Sequence, residues 1–191
     1  AQGFTWDARK EGTAIEMFAM VENDIGPIEI CIFNVGGNVR FPILETTERV
    51  FRKVWEMCGF AAFLSGREAA KYMVERERGS IFFTGATASM KGRAGFAAFA
   101  SGKFAMRGLA QSMARELGPK NIHVAHLVVD AGVDTEFVRE RQRDAGLDPD
   151  DLPPDTLTNP DSIAAAYWSL HQQTRDGWTH ELDIRPFAEK W

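Results

Sequence analysis

The sequence predicts an α/β fold, a doubly wound parallel sheet with helices on both faces. Three short apolar runs that contain or end in glycine have the length and composition of buried strands, and a fourth run alternates as a partly covered strand would. Segments with helical periodicity lie between them, and this alternation is typical of βαβ units. The predicted strands are 28–37, 79–86, 122–132 and 178–184, and the predicted helices are 10–24, 46–75, 96–117 and 160–173.

Residues at the helix ends support these assignments. The Asn-Pro-Asp sequence at 159–161 supplies a cap and a first-turn proline, and the Gly-Pro pair at 118–119 ends the helix over 96–117. The segment 143–160 is rich in Asp and Pro, which predicts a loop. Because it follows the third strand, this loop either covers a ligand crevice or is a surface excursion without function.

Charge and cysteine content exclude several classes of function. The 191-residue chain has 22 Lys and Arg against 27 Asp and Glu, a formal net charge of −5, and no basic block. We therefore expect no nucleic-acid or membrane partner, and no apolar run approaches the ~20 residues of a membrane helix. Cys31 and Cys58 lie in apolar surroundings, which predicts buried free thiols and a cytoplasmic location. His123 and His126 are three apart on a predicted strand and face opposite sides, so we predict no metal site.

Several motifs occur in the order and spacing of a known family. FNVGG follows the first predicted strand, GSIFFTGATAS forms the second, GVDT follows the third, and GWTHELDIRP is similar to a last strand. A lysine on the helix over 96–117 and a DAR turn near the start complete the set. Together they resemble the short-chain dehydrogenase/reductase family over nearly the whole chain. The matching residues are Asp7, Asn34, Gly36, Lys103 and Thr135.

This resemblance implies a Rossmann-like domain and hydride transfer between NAD or NADP and a small carbonyl, alcohol or enoyl substrate. It places Asp7 at the adenine ring, and it places Asn34, Gly36 and Thr135 against the cofactor. Lys103 would hold the ribose hydroxyls and tune a tyrosine four residues earlier on the same helix face. Three alternatives remain open. Asn34 could simply end a strand, Thr135 could cap a helix, and the Lys103 side chain could extend to water.

The other catalytic positions of the family are changed in this chain. Phe99 stands in place of the tyrosine, and Phe96 stands where enoyl reductases of the family carry theirs. Gly85 or Ala86 occupies the serine position, and Cys58 replaces the asparagine of the preceding long helix. The usual proton donor is therefore missing, and the phenylalanines are expected to pack in the core or at a helix interface.

One ionisable group is new at the ligand-binding edge of the sheet. The Pro-Gly pair that follows the third strand in the family is replaced by Asp130-Ala131. Ligands of open α/β sheets collect at the carboxyl ends of strands. We therefore consider Asp130 a candidate catalytic residue beside Lys103, as a substitute acid.

The family's glycine-rich phosphate turn has no counterpart in this sequence. The chain begins where the family's third strand would lie, so we expect an N-terminally incomplete single domain over 1–191, with about 55 to 60 residues preceding it. The first two strands normally separate the third from the fourth. If the protein instead lacks those preceding residues, residues 4–9 would be an unpaired extension or would exchange with another chain.

Three hypotheses on function follow. The protein is an NAD(P)-dependent oxidoreductase with an atypical active site, or an inactive relative that binds a dinucleotide or forms oligomers, or a folded fragment unable to bind cofactor. Under all three we expect a homodimer or homotetramer through the helices over 46–75 and 96–117, whose small and aromatic residues suit helix packing.

Overall fold

The computed structural model describes residues 1–189, and the last two positions of the predicted 1–191 domain, Lys190 and Trp191, lie outside the described residues. Strands and helices alternate along most of this part of the chain. The strands are β1 (Ile30–Phe33), β2 (Gly79–Ala86), β3 (Ile122–Val129) and β4 (Glu181–Ile184). The helices are α1 (Glu11–Met20), α2 (Glu48–Trp55), α3 (Ala61–Glu75), α4 (Ala97–Leu117), α5 (Glu136–Asp144) and α6 (Pro160–His171).

The four strands form one parallel sheet in the order β1-β2-β3-β4. All eight residues of β3 are buried, as expected for a strand with partners on both sides and helices on both faces. Because every strand runs in the same direction, the carboxyl ends of all four strands meet at one edge of the sheet. The loops after β1, β2 and β3 are therefore brought together there.

Helices cover both faces of this sheet, which confirms the predicted fold class. On one face, apolar side chains of α1, α3 and α4 pack with Ile81, Phe83 and Val124. On the other face, Tyr167 and Leu170 of α6 pack with Phe82 and with alternate residues of β3. The two cores explain why the strands read as nearly continuous apolar runs and not as alternating ones.

Several predicted elements are shorter or divided in the structure. The predicted strand 28–37 is reduced to β1, whose ladder with β2 runs from Ile30 to Phe33. The predicted helix 46–75 is α2 and α3 joined by a wide π-helical turn, Glu56–Phe60, which contains Gly59. The segment 143–160 holds the end of α5, a short 3₁₀ turn and the first residue of α6, and the rest of it is irregular, in agreement with the predicted loop.

The first nine residues form no strand. Trp6 packs edge-on against Phe18 of α1, with ring centroids 6.3 Å apart, and this contact anchors the segment to the core. The outer edge of β1 carries no strand in the described part of the chain. Within residues 1–189, no helix combines the length and the apolar character needed to cross a membrane.

Candidate functional site

Three adjoining cavities lie at the carboxyl edge of the sheet, and the largest of them also extends alongside β1. The largest, of about 650 Å³, is lined by residues that include Asp7 and Asn34. The second, of about 440 Å³, shares Asn34 with the first and is also lined by Thr135. The third, of about 200 Å³, shares Ala86 with the second and is walled by Phe99. The fold thus places four positions singled out from the sequence along one continuous surface.

Lys103 lies behind this surface, and its side chain is almost entirely buried. The side chain is only 5% exposed, and Nζ donates a hydrogen bond to the Thr84 carbonyl oxygen at 2.7 Å. A Cβ placed on Gly36 would lie 3.6 Å from Nζ, so the turn after β1 passes directly over the amino group. Burial lowers the pKa of Lys103, and the neighbouring Cys58 thiol acts in the opposite direction. The alternative of a lysine extending to solvent is therefore wrong.

Phe99 lies one helical turn before Lys103 and faces it. The ring is nearly buried, and its centroid lies 5.8 Å from the Lys103 Nζ. It packs in a small apolar cluster with Val54 and Cys58, and its exposed edge forms part of the 200 Å³ cavity. The helix therefore keeps the placement of an aromatic ring beside the lysine, while the ring carries no hydroxyl group.

Asp130 is buried at the end of β3 and has two partners. Its carboxylate accepts a hydrogen bond from Thr87 Oγ1, and Arg185 Nη1 lies 3.3 Å from its other oxygen. Thr87 lines the 200 Å³ cavity, whereas Asp130 does not. Any proton exchanged between Asp130 and a ligand in this cavity would therefore pass through the Thr87 hydroxyl.

Asp7 is held by Arg9 at the far end of the site. Its carboxylate accepts from Arg9 Nε at 2.9 Å, from Nη2 at 2.8 Å and from the Arg9 backbone N–H at 3.1 Å. These hydrogen bonds lower the pKa of Asp7 to about 2. The paired side chains line the 650 Å³ cavity together with Asn34. The other predicted site residues that line a cavity, such as Thr135, belong to the two smaller cavities.

Thr135 does two things at once. Its Oγ1 accepts a hydrogen bond from the Val138 backbone N–H at 3.3 Å, which caps α5, and the residue also lines the 440 Å³ cavity. Capping was one of the two alternatives from sequence, and the geometry is compatible with a ligand contact as well. Asn34, exposed at the end of β1, likewise lines two cavities besides ending the strand.

The sequence did not indicate that a tyrosine hydroxyl group is also buried at the site. Tyr167 of α6 lines the 440 Å³ cavity, and its Oη lies 2.6 Å from Thr84 Oγ1. Burial raises the pKa of Tyr167 to about 12, so the phenol is neutral at physiological pH. The signal was the scarcity of tyrosine, since the chain has only 2. In a chain whose Phe99 replaces the family tyrosine, each of the two tyrosines is a candidate substitute donor.

A charged network lies beneath the site and also escaped prediction. His126 is fully buried, and its Nδ1 lies 2.9 Å from a Glu181 carboxylate oxygen, which in turn is bound by Arg107 at 2.7 Å. Burial lowers the pKa of His126. The three residues lie on β3, β4 and α4, and no spacing in the sequence links them. Among residues 1–189, no group of three or more His, Cys, Asp or Glu side chains is placed to hold a metal ion.

Comparison with known proteins agrees with this geometry. The family model described as short chain dehydrogenase matches residues 1–146. A 2-dehydro-3-deoxy-D-gluconate 5-dehydrogenase from Formosa agariphila is 32% identical over 124 residues, which are 65% of this chain and 47% of that protein. The chain spans about half the length of the curated relatives it matches.

Solved structures extend the similarity to almost the whole chain. A short-chain dehydrogenase from Rhodopseudomonas palustris is 49% identical with a TM-score of 0.79, over 96% of this chain and 74% of that one. ElxO, solved with NADP bound, has a TM-score of 0.85 at 19% identity, over 95% of this chain and 75% of that one, and this likeness concerns the fold. The order of motifs, the parallel sheet and the family match agree: the chain belongs to the short-chain dehydrogenase family.

Proposed function

We propose that this protein is an NAD(P)-dependent oxidoreductase that acts on a small carbonyl, alcohol or enoyl substrate with an atypical active site. The observation that carries the proposal is the buried amino group of Lys103, which lies under Gly36 and donates a hydrogen bond to the carbonyl of Thr84, a residue that lines the 440 Å³ cavity. The Thr84 carbonyl oxygen satisfies one of the three donors of this ammonium group, and a buried cation is costly unless its other donors also find an acceptor. A bound ribose would supply one.

The residues present fit two parts of a nicotinamide dinucleotide. An ammonium group has three donors, and Thr84 accepts one, which leaves donors for ribose hydroxyls. Thr135 and Asn34 would contact the nicotinamide end in the 440 Å³ cavity, and Asp7 would face the adenine end in the 650 Å³ cavity. The cofactor, NAD or NADP, would supply the hydride. Residues 1–189 contribute no glycine-rich turn toward its pyrophosphate.

Proton transfer in this proposal goes through Thr87. Its hydroxyl faces the 200 Å³ cavity and is hydrogen-bonded to the Asp130 carboxylate. Asp130 would thus take part as a relay behind Thr87, receiving a proton during alcohol oxidation and returning it during reduction. Activated enoyl substrates need the least assistance, since solvent can protonate the product carbanion.

The proposal is tested by mixing the full-length protein with NADH or NADPH and a panel of carbonyl and enoyl-thioester substrates. We expect oxidation of the dinucleotide, fastest with an enoyl substrate. The Asp130→Asn change should slow it by about 10- to 100-fold, because a positioned acid or base typically contributes that much or more. Asp183→Asn is the matched control, since Asp183 also pairs with Arg185.

Two results would count against this assignment. If the turnover rate is unchanged by Asp130→Asn, Asp130 takes no part in the reaction. Tight dinucleotide binding without oxidation by any substrate supports the second candidate function, an inactive relative that senses a dinucleotide or joins oligomers. That candidate is favoured by one specific observation, the buried phenyl ring of Phe99 where a proton donor would stand.

We also propose a homodimer or homotetramer formed through α2, α3 and α4, in a cytoplasmic protein. Four aromatic side chains are exposed on these helices although large apolar patches are uncommon on monomers. Light scattering after size-exclusion chromatography at micromolar concentration should show a dimer or larger species. The four residues are Phe51, Trp55, Phe63 and Phe104, each about two-fifths exposed.

Charge placed on this surface should dissociate the oligomer. The double change Phe63→Glu/Phe104→Glu should weaken association by at least about tenfold, because it buries unpaired charge at an apolar contact. Phe137→Glu is the control, since that ring is 65% exposed and belongs to α5, outside the proposed interface helices. A wild-type protein that elutes only as a monomer would contradict the proposal.

A further inference from the structure

The charged side chains that line the smallest of the three cavities are all cations. Its walls include the cations Lys91 and Arg93, the amide of Asn38 and the rings of Phe96 and Phe99, and no carboxylate is among the lining residues. Neither cation has an ion-pair partner within residues 1–189. Arg107 on α4, by contrast, is paired with Glu181.

The sequence around the cavity is free of acids over a long stretch. No Asp or Glu occurs from Gly79 to Arg115, although the whole chain has 27 acidic residues and a net charge of −5. That stretch comprises β2, the cation-bearing turn and nearly all of α4. The positive potential at the cavity is therefore not cancelled by neighbours along the chain.

The amino end of α4 adds to this potential. The helix has 21 residues, no side chain caps its first N–H groups, and its first turn contains no acid. Phe96 and Phe99, at this helix end, are cavity walls. An uncapped helix amino terminus favours an anion, since its free N–H groups and the helix dipole point the same way.

Asp130, the acidic residue next to the cavity residues in the sequence, already has an ion-pair partner. Asp130 lies between the cavity residues Val129 and Ala131, but its carboxylate contacts Thr87 and Arg185. It leaves the two cations at the opposite wall without a counter-charge. The cavity therefore combines an apolar floor with a cationic rim and a helix amino terminus.

We propose that this cavity takes the negatively charged end of a small substrate, a carboxylate or a phosphate, whose carbon atoms pack against Phe96 and Phe99. The inference rests on the proposed function in treating the cavity as the substrate side of the site. A volume of about 200 Å³ accommodates about seven water-sized groups at about 30 Å³ each. Lys91 and Arg93 are then residues that determine specificity and take no part in the chemistry.

The test compares matched pairs of charged and neutral ligands by ligand-observed NMR on the full-length protein, without dinucleotide. The pairs are acetoacetate with methyl acetoacetate, and dihydroxyacetone phosphate with dihydroxyacetone. We expect the anion of at least one pair to bind about tenfold more tightly than its neutral partner. The pair with the larger preference identifies carboxylate or phosphate as the recognised group.

The double change Lys91→Gln/Arg93→Gln should reduce that preference to about twofold or less. Lys120→Gln/Arg175→Gln is the matched control, because it also removes two exposed cations without ion-pair partners in the described residues and changes the net charge equally. Equal binding of charged and neutral partners overturns the inference, as does an equal loss in both double variants. If the preference is present but no dinucleotide is oxidised, the proposed function fails and this inference stands.

Discussion

Replacing Phe99 by Tyr should create or strongly increase carbonyl reduction. The ring faces Lys103 and borders the 200 Å³ cavity, so a hydroxyl added to it would meet both the buried amino group and a ligand. The nearby cation would favour the ionised phenol and thus its function as a proton donor. We expect the rate of NAD(P)H-dependent reduction of a small ketone to rise by about 10²- to 10⁴-fold, measured as dinucleotide oxidation.

The control for this change is Phe104→Tyr on the same helix. Phe104 is 43% exposed and one residue beyond Lys103, so its hydroxyl would point away from the cavities. This variant should keep the wild-type rate. If Phe99→Tyr folds normally and its ketone reduction stays at the wild-type level, the site lacks more than a proton donor, and the proposed catalytic geometry is incorrect.

A methyl group added at Gly85 should strongly destabilise the fold. A Cβ there would overlap His126 Nε2, lie 2.8 Å from Cε1 and lie 3.1 Å from Ser89 Oγ. His126 is fully buried and hydrogen-bonded to Glu181, so it has little room to move. We expect Gly85→Ala to lower the free energy of unfolding by about 2 to 3 kcal/mol, measured by urea denaturation.

Two further variants separate this clash from a general effect of alanine. Gly108→Ala adds the same methyl group in α4, where a Cβ would meet nothing within 4 Å, and should raise stability by up to about 1 kcal/mol. In a His126→Ala background, Gly85→Ala should cost less than half of its effect in the wild type. An undiminished cost in that background would show that the clash with His126 is not the cause.

The sheet and its flanking helices could be predicted because they depend on local pattern. Three apolar runs marked β1, β2 and β3, and the helical period over 96–117 marked α4 almost to the residue. The ends of β1 could not be predicted, because a strand extends only as far as its partner pairs with it. The division of the helix over 46–75 could not be predicted either, because helical periodicity does not mark the π-helical turn Glu56–Phe60.

The site residues that could be predicted are those related by spacing within one helix or by their position directly after a strand. The i, i+4 relation of Phe99 and Lys103, and the positions of Asn34, Gly36 and Thr135 after strands, were readable from the sequence. Contacts between remote segments were not. The Thr87–Asp130 hydrogen bond joins residues 43 positions apart, and the contact between Tyr167 and Thr84 joins residues 83 positions apart. Neither follows from periodicity, because each requires the sheet to be assembled first.

The position of Lys103 bears on why this lysine is kept although Phe99 replaces the family tyrosine. A lysine that only tuned a proton donor would have no function once Phe99 replaced that donor. The structure instead shows its amino group between the turn after β1 and the Thr84 carbonyl, where a ribose would lie in the proposed complex. In the proposed function, a bound dinucleotide would supply acceptors for the donors of this cation that the Thr84 carbonyl leaves unused.

A fluorescence titration of the full-length protein with NADH and NADPH tests this account most directly. We predict saturable binding of at least one dinucleotide, weakened by about tenfold or more in Lys103→Gln and unchanged in Lys120→Gln, an exposed lysine far along the chain from the cavities. Failure of the wild-type protein to bind either dinucleotide, or equal binding by wild type and Lys103→Gln, would contradict the assignment of Lys103 and the cavities around it to a nicotinamide cofactor.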